Sequence, residues 1–152
     1  MDNKRYLLVI FVSFFAAILQ TSVFYEFFGH YLNPDLLIAL VLGFMLNAGY
    51  QSAYLSAIFG GVLLDFLNAK TPGLSAFIIS LYVWVYFQVR GFYLHGVAAT
   101  AMFWVVLIYL YRIVISGSLF FNVKVLISCL LSVAIGYTIA YFMKRGYEKV
   151  NL

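Results

Sequence analysis

Long runs without a charged residue are the feature that most limits what this chain can fold into. Five stretches lack Asp, Glu, Lys and Arg altogether: residues 6–25, 36–64, 71–89, 91–111 and 125–143. A helix needs roughly 20 apolar residues to cross about 30 Å of hydrocarbon, and residues 36–64 suffice for two short crossings. With 66% hydrophobic and 9% charged residues, the chain has too little polar surface for a soluble domain. We therefore predict an all-α integral membrane protein.

About six transmembrane helices in one bundle account for this pattern, so that residues 1–152 form a single polytopic membrane domain. The predicted spans are about 6–25, 34–48, 51–67, 72–89, 92–115 and 120–143. Turn-forming residues in the segment 47–52 divide the long uncharged run in two. The alternative is a five-span arrangement, in which residues 34–67 form a helical hairpin that does not fully cross the membrane.

Two of the predicted spans have recognisable beginnings. Asn33 is a favourable N-cap, Pro34 suits the first helical position, and Asp35 falls in the positively polarised first turn of the second span. Pro72, followed by Gly73, is predicted to begin the fourth span in the same way.

The distribution of Lys and Arg predicts the orientation of the bundle. With six spans and an internal N-terminus, six basic residues lie on the cytoplasmic side: Lys4, Arg5, Arg90, Lys144, Arg145 and Lys149. Only Lys70, Arg112 and Lys124 lie on or near the outer side. This bias favours cytoplasmic termini. It also places Asp35 and Asp65 at the same outer face.

Small residues spaced three and four apart lead along the third span to Asp65. They are Ser52, Ala53, Ser56, Ala57, Gly60 and Gly61. Such faces allow close helix packing in lipid, so we expect Asp65 to point into the bundle. The sixth span carries a similar stripe: Ser128, Ser132, Gly136 and Ala140. A buried Asp65 would be stabilised by an opposite charge, either Arg112 or Lys124. Alternatively, all three are interfacial residues that reach the headgroups.

Sequence motifs for catalysis or metal binding are lacking. The chain contains no H-E-x-x-H, G-x-S-x-G, Walker loop or C-x-x-C. Cys129 is the single cysteine, and neither His30 nor His95 has a carboxylate or thiol at ligand spacing. We therefore expect no catalytic residue, no metal and no cofactor, and predict that the protein is not an enzyme.

Residues 33–78, NPDLLIALVLGFMLNAGYQSAYLSAIFGGVLLDFLNAKTPGLSAFI, resemble the rod shape-determining MreD family of bacteria. The matching positions are Pro34-Asp35-Leu36-Leu37, Gly60-Gly61, Leu64-Asp65 and Pro72-Gly73-Leu74. Together with Asn33 and the basic residues near the outer face, they define the candidate structural or partner-interface residues. These are Asn33, Pro34, Asp35, Gly60, Gly61, Asp65, Pro72, Gly73, Arg112 and Lys124.

The resemblance implies a non-enzymatic scaffold or regulatory subunit of the cell-elongation complex, or elongasome, in the bacterial cytoplasmic (inner) membrane. Such a subunit helps to maintain cell shape and to direct peptidoglycan synthesis. The implied partners are MreC, RodA with its class B penicillin-binding protein, indirectly the MreB filament, and membrane lipids, but no nucleic acid. The implied fold is a bundle similar to the S components of energy-coupling-factor transporters.

That similarity of fold supplies an alternative function, a small-molecule-binding S component. An S component would be expected to have long external loops that close over its ligand, whereas the loops here are short. A third interpretation, a small structural subunit of another membrane complex, explains the composition but not the motifs in residues 33–78.

Overall fold

The computed structural model describes residues 3–47, 49–69, 71–91, 96–116 and 122–150, and throughout these ranges the regular structure is α-helical. The helices are α1 (Asn3–Thr21), α2 (Val23–Leu32), α3 (Leu36–Asn47), α4 (Tyr50–Leu67), α5 (Leu74–Arg90), α6 (Val97–Ser116) and α7 (Val123–Val150). Lys70, His95 and the predicted first residues of the fifth and sixth spans lie outside the described residues. So do the side chains of Lys4, Arg5, His30, Arg145 and Lys149.

Within the described ranges, three helical stretches are long and apolar enough to cross a membrane: Tyr6–Phe28, Val97–Ile115 and Val123–Lys144. The first joins α1 to α2, because Ser22 N donates to Ile18 O and Glu26 N donates to Ser22 O across the break. The all-helical, membrane-compatible class is thus confirmed. The predicted number of full-length spans is not, because the other three predicted spans coincide with the shorter helices α3, α4 and α5.

Helix α3 is short and is enclosed by protein. Its 12 residues rise by about 18 Å, well short of the roughly 30 Å of hydrocarbon. Every residue from Leu37 to Met45 is buried, and the helix packs against α1, α4 and α7. A helix that is apolar on all sides is expected at such a central position.

Helices that are consecutive in the chain alternate in direction when α1 and α2 are counted as one, and hydrogen bonds between the helices show their directions. Ser13 on α1 hydrogen-bonds Ser56 on α4 at 2.8 Å. Nearer the start of both helices, Tyr6 OH donates to Gln51, so α1 and α4 run parallel. Helices α3 and α7 also run parallel, because Asp35 contacts Ser132 and Asn47 contacts Ala140. Asp65 near the end of α4 contacts Ser75 at the start of α5, which makes this pair antiparallel.

The predicted small-residue faces are buried, as expected. On α4 the buried positions are Ser52, Ala53, Ser56, Ala57, Gly60, Gly61, Leu64 and Asp65. On α7 all four residues of the predicted stripe are buried. The approach is closest where α4 meets α5, because a Cβ added to Gly61 would lie 2.5 Å from the Cα of Ala76. These stripes therefore serve packing within the chain.

Both predicted helix starts at proline are wrong by two residues. Helix α3 begins at Leu36, not Pro34, because the carbonyl of Asn33 accepts hydrogen bonds from α6 and α7 and is not directed along α3. Helix α5 begins at Leu74, not Pro72. Gly73 has φ 91°, a left-handed conformation that cannot continue a right-handed helix and that favours glycine.

Candidate functional site

A buried ion pair between Asp35 and Arg112 lies at the start of α3. Arg112 Nε donates to Asp35 Oδ2 at 2.7 Å, and the two side chains are 16% and 8% exposed. Arg112 Nη2 also donates to the carbonyl oxygen of Asn33. One guanidinium therefore neutralises the Asp35 carboxylate and also donates to the backbone carbonyl of Asn33, which lies outside α3.

Gln20, near the end of α1, completes the coordination of Asp35 from the other side. Its Nε2 donates to Asp35 Oδ1 at 3.3 Å, while its Oε1 accepts from Leu37 N at 3.0 Å. The first backbone N–H groups of a helix have no partner within the helix. Gln20 thus caps α3 from a different helix, a role that we had expected of Asn33.

Asn33 connects the remaining helices to this point. Its Nδ2 donates to the carbonyl of Gln20 at 3.0 Å, and its own carbonyl accepts from Ser128 Oγ at 2.7 Å. Ser132 Oγ accepts from Asp35 N and donates to Ser128 O, both at 2.8 Å. We call these six residues the Asp35 cluster: Gln20, Asn33, Asp35, Arg112, Ser128 and Ser132. It joins α1, α6 and α7 to the start of α3.

Asp65 makes a different set of contacts. It is fully buried in the last turn of α4, and its Oδ2 accepts from Ser75 N in the first turn of α5 at 2.9 Å. Ser75 Oγ in turn hydrogen-bonds Tyr111 OH on α6 at 2.9 Å. Asp65, Ser75 and Tyr111 thus link three helices, and we call them the Asp65 cluster.

Both clusters lie at one end of the bundle, because Tyr111 and Arg112 are adjacent in α6. The prediction that Asp35 and Asp65 share an end is therefore confirmed. Arg112, however, forms its ion pair with Asp35. Among the described side chains no ion pair is formed with Asp65.

The other predicted residues fall into two groups. Pro34, Gly60 and Gly61 are buried at helix contacts, and a Cβ on Gly60 would overlap with Leu37 Cδ1. Pro72 and Lys124 are exposed. The backbone N–H of Lys124 donates to Asn122 Oδ1 at 2.9 Å, which makes Asn122 the N-cap of α7. The proposed pairing of Lys124 with Asp65 is thus not observed.

Gln20 and Tyr111 are the important residues that the sequence reasoning missed. Gln20 is the most polar residue of the uncharged run 6–25, and it follows the buried Val9, Ser13 and Ala17 at helical spacing. A single amide in an apolar stripe was therefore an available signal. Nothing comparable distinguished Tyr111 among the 13 tyrosines.

The chemistry of these clusters is structural. In the Asp35 cluster the carboxylate is neutralised and bound on both oxygens, which suits a fixed junction between helices. No group of three or more His, Cys, Asp or Glu side chains comes together within the described part of the chain.

In comparisons with known proteins, no family model, no curated protein and no solved structure matches this chain.

Proposed function

We propose that the protein is a non-enzymatic membrane scaffold of the bacterial cell-elongation complex, similar in role to the MreD family. The observation that carries the proposal is the position of the motif residues. Asp35, Gly61 and Asp65, which carry the resemblance, all lie at contacts between helices. A motif that fixes how the helices pack suits a subunit whose function is to present a defined surface to its partners.

We further propose that the chain crosses the inner membrane six times with both termini in the cytoplasm. The alternating directions of the helices support an even number of crossings, and the Lys and Arg bias supports the orientation. Helix α3 can be short in such an arrangement because it contacts protein on all sides. In its fold the bundle would be similar to the S components of energy-coupling-factor transporters.

MreC is the proposed direct partner, and it would bind near the outer end of the bundle where the two clusters lie. RodA with its class B penicillin-binding protein is the proposed enzymatic partner, with the MreB filament acting indirectly. In this role the Asp35 and Asp65 clusters keep the outer helix ends in fixed positions. A substitution in either cluster would then alter the surface offered to MreC, although the substituted residue would not itself contact MreC.

Co-purification from native bacterial membranes tests the proposal. The chain should retain MreC, and Asp65→Ala should reduce the amount of MreC retained or the accumulation of the chain itself, so that dependent cells become round. Asp65→Asn, which keeps an oxygen for Ser75 N, should be partly tolerated. Lys70→Ala serves as the control and should retain MreC normally.

Two results would contradict this function. One is a normal rod shape and normal MreC retention in cells that depend on Asp65→Ala. The other is co-purification of the wild-type chain with an energising ATPase module and a vitamin, which would favour the S-component alternative. Recovery with an unrelated complex would favour a structural subunit of that complex.

A further inference from the structure

The two buried aspartates differ in how their charge is balanced. Asp35 has Arg112 on one carboxylate oxygen and Gln20 on the other. Asp65 is less exposed than Asp35, at 0% against 6%. Yet its Oδ1 has no hydrogen-bond partner, and its Oδ2 accepts only the backbone N–H of Ser75 among the contacts described. Burial of a carboxylate is strongly unfavourable unless it is paired.

The position of Asp65 in α4 adds to this imbalance. It lies in the last turn of Tyr50–Leu67, where the helix carries partial negative charge and favours a cation. The start of α5 offsets part of this effect through the N–H of Ser75. The end of one helix and an acidic side chain therefore concentrate negative potential at the same point.

Protonation of the carboxyl group would not satisfy its Oδ1. Because Oδ2 already accepts from Ser75 N, the hydroxyl of a neutral acid would fall on Oδ1. There it would be a buried donor that itself needs an acceptor, at an oxygen that has no hydrogen-bond partner in the structure. A bound cation, in contrast, is coordinated by that oxygen directly.

We propose that Asp65 Oδ1 binds a monovalent cation of the sodium type, a role that is independent of the scaffold function. The two hydroxyls that continue the Asp65 cluster, Ser75 Oγ and Tyr111 OH, lie 2.9 Å apart, and they are the neutral oxygens proposed to join Oδ1 in binding the cation. In membrane transporters, backbone carbonyls at the C-terminal ends of broken helices help to coordinate sodium. Asn68 and Thr71, in the turn that follows α4, are exposed.

Thermal unfolding of the purified full-length chain tests the site, with sodium chloride compared against choline chloride at equal ionic strength. A ligand that binds only the native state raises its stability with concentration. The wild-type melting temperature should therefore rise with sodium and reach saturation. Asp65→Asn should lose this dependence, whereas Asp35→Asn should be less stable in both salts yet still respond to sodium.

Hydroxyl variants keep the test decisive if Asp65→Asn fails to fold. Ser75→Ala retains the backbone N–H that binds Asp65, and Tyr111→Phe retains the ring. Each should raise the half-saturating sodium concentration by at least about tenfold, as loss of a supporting group does at metal sites. Lys70→Met should leave the sodium response unchanged.

Three outcomes would overturn the proposal. The first is equal wild-type stability in sodium and choline, and the second is an unchanged sodium response in Asp65→Asn. The third is a sodium response that appears only in Lys70→Met, which would identify Lys70 as the native counter-ion. None of these outcomes bears on MreC retention, so the cation site and the scaffold function can fail separately.

Discussion

Arg112 Nε lies 2.7 Å from Asp35 Oδ2, joining two residues that are 77 positions apart in the chain. The pair brings the C-terminal end of α6 to the start of α3, which has no other cationic neighbour among the contacts described. Removal of either partner leaves the other charge buried alone, whereas removal of both does not.

Arg112→Met should therefore destabilise the protein by about 3–5 kcal/mol, the range typical of a broken buried pair. The double variant Arg112→Met with Asp35→Leu should recover a substantial part of this loss. Thermal unfolding in detergent measures both, and Glu26→Gln on the exposed face of α2 is the matched charge control. Equal stability of Arg112→Met and the control would contradict the assigned role of the pair.

Gln20→Leu should destabilise the chain by about 1–3 kcal/mol for each buried polar group that loses its partner. The variant keeps the size of the side chain but removes the cap on Leu37 N and the bond to Asp35. Ser22→Ala is the control, because its exposed hydroxyl bonds only Ile18 O within its own helix. Normal membrane accumulation of Gln20→Leu at elevated temperature would contradict this prediction, because water would then be replacing the hydrogen bonds of the amide.

Gly61→Ala should harm folding although it adds a single methyl group. That group would lie 2.5 Å from the backbone of Ala76, so α4 and α5 would have to separate. Gly91→Ala provides the control, because its added Cβ meets nothing within 4 Å. Membrane accumulation and unfolding temperature should fall for Gly61→Ala but not for Gly91→Ala. Gly136→Leu should be similarly harmful, and Phe11→Leu, at an exposed site on α1, should be mild.

Cysteine labelling of intact cells should test the orientation. In a Cys129→Ala background, a membrane-impermeant reagent should modify Thr71→Cys from outside but not Arg90→Cys. Both positions are exposed and lie at opposite ends of α5. External labelling at position 90 would reverse the orientation, and labelling at both positions would exclude a crossing by α5.

Much of the bundle could be predicted from the sequence because lipid imposes a simple pattern. Uncharged runs located the helices, and small residues at helical spacing identified the buried faces of α4 and α7 correctly. Helix starts were less predictable. Asn33 resembles a local N-cap, but its side chain donates to the carbonyl of Gln20 and its own carbonyl accepts from Arg112 and Ser128. The partner of each charge was not predictable either. Which of two aspartates meets Arg112 depends on how α3 and α6 pack, and no spacing in the chain encodes that distance.

The enclosure of α3 has a consequence for biogenesis. Asp35 N is bound by Ser132, which lies 97 positions later in α7. While the ribosome is still synthesising α7, the side of α3 that packs against α7 has no protein neighbour. The carbonyl of Asn33 does not yet have its donor, Ser128. The interior around α3 therefore cannot be completed until α7 has been synthesised. A chain that ends before α7 should therefore lack the contacts that enclose α3, even though all of its earlier helices have been synthesised.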